Sequence, residues 1–310
     1  MIMMLGGWHL GQNRLGALVL GLALAACAPM PSPQQPNTAD LTAAPSAESA
    51  AIAAYYAGVQ QSLLSQGLLR TDGGGADTPM TATMLAQNFL RIAMYEEHNS
   101  TGARGTAPLR LTRWATPVRV GLHFGASVTA DRQATDRARI ASYLARLSRL
   151  TGRSIALAGS NTNFTIAITS ADERRALGPL IMASLPQIGP AQVASVTNLA
   201  RSTYCLVWTQ SHADNGQYEH AFIYIPAEHP DLMRLACMHE EIAQGLGLPN
   251  DVGTARPSIF NDDEEFALLT RQDELLLRIL YNPALSPGMT EAEARPIVEN
   301  LARELLEVGS

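Results

Sequence analysis

"HEEIAQGLGLPND", His239 to Asp251, joins a helical apolar period to a run of polar side chains and a glycine-rich turn. Wound as a helix at about 100° per residue, Asp231 to Gly245 brings Leu232, Leu235, Ala236, Ile242, Ala243 and Leu246 onto one stripe. His239 falls in the middle of that stripe, which is the place of a hydrogen-bonded core histidine more often than of a ligand. Glu240 and Gln244, four residues apart on one flank, can meet one ion, one water or each other. Glu241 points almost opposite. Gly245 and Gly247 end the helix, and Pro249-Asn250-Asp251 turns the chain back towards that flank. The polar set suits either a metal-binding or catalytic site, or a tightly bonded helix end.

The rest of the chain narrows the choice. Its 310 residues, 46% of them hydrophobic and 16% charged, can bury a sizeable core. A net charge of −6 argues against nucleic acid as a partner, because phosphate contacts call for a basic surface. Neither GxxxxGK[ST] nor a strand-linked GxGxxG occurs, so nucleotide binding has no support.

At the N-terminus, Arg14 precedes the apolar run "LGALVLGLALAAC", which is too short for a membrane span and reads as a secretory signal. Leu24-Ala25-Ala26-Cys27 resembles the bacterial lipobox, in which the cysteine is acylated and the peptide is cut before it. The Pro/Ala/Ser/Gln stretch behind Cys27 has the composition of a tether. The resemblance implies a lipoprotein, and Ala28 after the cysteine implies sorting to the outer membrane, facing the periplasm. The expected organisation is a signal over 1–26, an acylated cysteine and tether over 27–48, a helical segment over 49–105 and an α+β domain over 106–310. Cys205 and Cys237 are then an even pair in an oxidising compartment, which predicts a disulfide.

Two stretches at helical spacing, 46–70 and 78–99, separated by "TDGGGAD", predict a helical hairpin. "LRLTRW" and "PVRVGLHFG" alternate like half-buried strands, and a long helix ends at Gly152. "SIALA" and "NFTIAITS" read as strands. "YCLVWTQ" and "HAFIYIPA" flank a hairpin turn at Asn215-Gly216. Thr270 with Asp273, and Thr290 with Glu293, mark helix starts.

The runs "CMHEEIAQGLGLPND", "SIFND" and "LLTRQDELLLRILYNPALSPGM" resemble a proteobacterial lipoprotein family, domain of unknown function 2927, over about residues 110–290. That family is similar to the metzincin and matrixin zinc peptidases, whose pattern is HExxHxxGxxH or HExxHxxGxxD. The resemblance implies a zincin-like domain with a mixed sheet. Keeping the glycine in register puts Glu240 in the first His slot, Glu241 in the catalytic Glu slot and Gln244 in the second His slot. Gly247 then matches the Gly, and Asn250 takes the third ligand slot, with Asp251 beside it. Phe260 stands where those peptidases have their turn methionine.

The alternative register keeps His239-Glu240 as the HE pair, with Glu240 as the catalytic carboxylate, but finds Ala243 where the second imidazole belongs. Zinc prefers imidazole and thiolate, whereas this oxygen-rich set suits calcium, magnesium or no metal. His212 and His220 are candidates for the missing nitrogen ligands. Three functions follow as expectations: a non-catalytic or altered-metal descendant, an active zinc peptidase acting on peptides, or a scaffold for an envelope protein.

Overall fold

The structure is a computed structural model that describes residues 44–95, 108–212, 215–261 and 263–307. The lipobox and Cys27 lie outside the described residues. Elements follow in the order α1 (Ala47–Ser65), α2 (Ala82–Ala93), β1 (Val118–Phe124), α3 (Ala130–Thr151), β2 (Ile155–Leu157) and β3 (Phe164–Thr169). Then come α4 (Ala171–Arg174), α5 (Gly178–Ser184), α6 (Pro190–Thr197), β4 (Leu206–Ser211), β5 (Tyr218–Pro226), α7 (Asp231–Gln244), α8 (Arg271–Leu280) and α9 (Glu291–Glu307). The described strands form a five-stranded sheet in the order β2-β1-β3-β5-β4. Neighbours are parallel except β4, which runs antiparallel to β5 at one edge. The fold is α+β with a mixed sheet.

Strands β3 and β5 are apolar along nearly their whole length because both faces of the sheet are covered. Val120, Phe164, Ile166, Ile168 and Ile223 meet α2, α3, α7, α8 and α9 in the main core. Ala167, Phe222 and Tyr224 point the other way, onto α5 and α6. Full burial of each such aliphatic or aromatic side chain stabilises the fold by about 1.5–3 kcal/mol. Local signals set the helix ends. Thr129 caps α3, Gly152 closes it in the left-handed conformation at φ +66°, and Thr270 with Asp273 forms the capping box of α8.

Cys205, just before β4, is bonded to Cys237 on α7, with the Cα atoms 6.0 Å apart. Closing a loop of 32 residues stabilises the fold by roughly 4 kcal/mol through the unfolded chain. No helix among the described residues is long and apolar enough to cross a membrane.

Three readings of the sequence need correction. "LRLTRW" is extended but is not a strand of the sheet, because its backbone pairs with loops. Leu111 exchanges hydrogen bonds with Gly288 and Met289, and Arg113 does so with Gly216 and Tyr218. The predicted helical hairpin does not form either. Helix α2 packs on α9 and α8, while α1 lies over α4 and the start of α7, with Tyr56 against Met233 and Ala267. Finally, α4 to α6 have no counterpart in the sequence reading. They are four to eight residues long, too short to show a period, and two of them carry a proline in their first two positions.

Candidate functional site

Helix α7 starts just after β5 and packs back over β5 and β4. One side chain locks it to α3. The Arg234 guanidinium is 1% exposed, meets Asp136 Oδ2 at 2.7 Å and also donates to the carbonyl of Ala227. Burial pulls the Arg234 pKa down, and Asp136 opposes that shift.

His239 is a core residue. Its Nδ1 accepts the Leu269 N–H at 3.0 Å, and its ring stacks on Tyr143 at 4.0 Å. The Tyr143 hydroxyl donates to the His239 carbonyl at 2.8 Å. Burial lowers the imidazole pKa to about 3, with Arg146 adding to the effect. The ring is therefore neutral, with its proton on Nε2 and its other nitrogen already committed.

Glu241 and Gln244 are buried and Glu240 is half-buried. The Gln244 amide donates to Asp251 Oδ1 at 3.1 Å. Asn250 is bound elsewhere: its side-chain amide donates to the Arg91 carbonyl at 2.9 Å and its N–H to the Ile92 carbonyl. The second and third ligand slots of the peptidase register are thus tied to the helix turn and to the end of α2. Gly247 makes this approach possible. Its φ is +123°, and a Cβ there would stand 2.3 Å from the Thr112 carbonyl oxygen, so no larger residue fits. The Phe260 carbonyl accepts from Val252 and the Phe260 side chain is fully buried, which brings the Ile259–Phe260 turn beneath the same loop. Asp273 anchors that turn by accepting from Ser258 Oγ, Ile259 N–H, Thr270 N–H and Thr270 Oγ1.

Two clefts flank these elements. One, of about 520 Å³, lies between α2, α9 and the turn, lined by Arg91, Tyr95, Asn250, Asp251, Glu291 and Arg295. His212 and His220 line the other, of about 790 Å³, near the amino ends of the parallel strands, with Arg119, Asn163 and Glu219. Among the described residues, no three His, Cys, Asp or Glu side chains are gathered so as to hold a metal ion. The donor set does not fit zinc: its one imidazole on α7 is already bonded, and the Gln244 amide nitrogen faces the carboxylate beside the third slot.

Sequence reasoning missed the backbone carbonyls of Arg91 and Ile92, since nothing in their side chains announces a partner 160 residues away. It also missed Asp136–Arg234 and the buried His229. The available signal for the ion pair was Asp136, which shares the apolar face of α3 with Ile140, Tyr143, Leu144 and Leu147.

Sheet, helices and turn define an α+β domain built around one motif-bearing helix. The chain belongs to the family described as protein of unknown function (DUF2927), which matches residues 82–300, from the first residue of α2 into α9. No curated protein and no solved structure matches it.

Proposed function

We propose that this is a zincin-like scaffold whose metal slots have become a structural polar cluster, carried by a lipid anchor on the periplasmic side of the outer membrane. Its role is to bind a peptide or an envelope protein rather than to cleave one. The observation that carries this reading is the Gln244–Asp251 hydrogen bond, in which the second-ligand residue is satisfied by the neighbour of the third. The mixed sheet, the motif helix following its last strand and the buried Phe260 turn support the zincin-like part. Leu24-Ala25-Ala26-Cys27 and the tether support the anchor. An acylated cysteine with more than one chain gives stable attachment, since a single chain binds only marginally.

The cluster is tested by stability. Gln244→Ala is expected to cost about 1–3 kcal/mol, because it empties a buried side-chain position and removes the hydrogen bond to Asp251. An unchanged urea midpoint would sink the structural role. The anchor is tested separately: Cys27→Ser should release the protein from membranes or leave the signal uncut, and unaltered fractionation and processing would contradict it.

A further inference from the structure

At the carboxyl ends of β3 and β5, Thr169 Oγ1, Glu228 Oε2 and His229 Nε2 are buried without a hydrogen-bond partner. Buried polar atoms are nearly always paired, and in open sheets the carboxyl ends of parallel strands are where ligands collect. Helix α1 closes this place. Ser49 Oγ donates at 2.7 Å to the other oxygen of Glu228, and the Tyr56 ring stands edge-on to the His229 ring at 4.3 Å. On its far side, His229 Nδ1 faces Cys237 Sγ at 3.7 Å.

The cover is held mostly by half-buried contacts, with Gln60 Oε1 accepting the Met233 N–H at 3.1 Å and Arg201 over the Tyr55 ring at 4.6 Å. Of the 19 residues of α1, Ser49 and Tyr56 are the buried ones. Its first turn is tied by exposed contacts, Ser46 to Asp172 and Glu48 to Arg175, of a kind that adds little. Behind it the chain is firmly fixed: Leu69 N–H and Arg70 N–H donate to Glu264 and Glu265, and the Arg70 guanidinium binds Asp72, Asp77 and Glu265. Between the two stands Gly67, at φ +77° with open space around it. Helix α1 also precedes residue 82, where the family match begins.

We infer that α1 is a releasable strap, filling in cis a groove that receives a helix bearing a hydroxyl residue and, seven positions on, an aromatic one. Its release, pivoting at Gly67, uncovers Glu228 and His229 while the α+β core stays folded. This inference does not depend on the fate of the polar cluster on α7.

The test uses the full chain with its disulfide intact. Diethyl pyrocarbonate modifies neutral imidazole, so His229 labelling, read by mass spectrometry, reports how often the strap opens. Tyr56→Ala should raise that labelling roughly tenfold while amide exchange in α3 and β3 is unchanged. A synthetic peptide of residues 44–66 should slow it again. Labelling that rises only in step with α3 and β3 exchange, or that ignores the peptide, overturns the proposal. In the unaltered protein at low urea, α1 amides should exchange well before those of α3, and equal protection of the two helices would also overturn it.

Discussion

Asp136→Asn is expected to destabilise the fold by about 3–5 kcal/mol, because it strands a buried guanidinium without its counter-charge. Arg234 is 1% exposed and Asp136 2%, so water cannot replace the lost carboxylate. The nearby Arg132 makes matters worse by repelling Arg234. A loss of that size is a large part of the 5–15 kcal/mol that holds a typical domain together. Replacing both partners, Asp136→Leu with Arg234→Met, should recover most of it, since a buried ion pair as a whole contributes little beyond a well-packed apolar pair. Urea midpoints for the two single variants and the double variant decide the matter. Additive losses would mean that the two side chains do not act as a pair.

Acid should unfold the protein earlier than its surface carboxylates alone would dictate. Burial holds His229 and His239 neutral, each with a folded pKa of about 3, against about 6.5 in the unfolded chain. A base depressed in this way stabilises above its unfolded pKa, and that stability is lost as pH falls towards the folded value. The two rings together cost about 2.7 kcal/mol per pH unit below 6.5.

Asp273 works in the opposite sense. Burial pushes its carboxyl up to about 6 in spite of its four donors, so its contribution grows as pH drops from 6 towards 4. It returns about 1.4 kcal/mol per unit over that window. The net expectation is a loss of about 4 kcal/mol between pH 6.5 and pH 4. Urea titrations at pH 7, 6, 5 and 4 read this directly. Removing both imidazoles, with His229→Asn and His239→Gln, should abolish the loss and leave the opposite slope of Asp273 between pH 6 and 4. A flat profile in the unaltered protein would contradict the account.

The place of most strands along the chain and the start of most long helices were legible because period and cap chemistry are local. "NFTIAITS" and "HAFIYIPA" announced strands, Gly152 a helix stop and Thr270 with Asp273 a helix start. The Cys205–Cys237 bridge was legible from parity. What the sequence hid was partnership at a distance. The alternation in "LRLTRW" gave an extended chain correctly, but could not say that its backbone would pair with the Gly216 and Gly288 loops. The apolar character of α1 and α2 gave helices, but their faces belonged to different neighbours. At the candidate site the residue types and the glycine turn were visible, and so was the core position of His239 on its stripe. The capture of Asn250 by the end of α2 was not visible, because a backbone carbonyl leaves no trace in the one-letter code.

With Gln244 bonded to Asp251 and Asn250 held by the end of α2, the ligand slots are structural rather than a zinc centre. Metal content of the purified chain, measured together with thermal stability before and after chelation, decides between the two. Structural slots give less than stoichiometric zinc, no change in Tm on chelation beyond about 1 °C, and none on adding zinc back, because a metal held by the folded state would raise stability through linkage. One zinc per chain, with a fall of several degrees on its removal and loss of the metal in Glu240→Ala, would show a zinc centre instead.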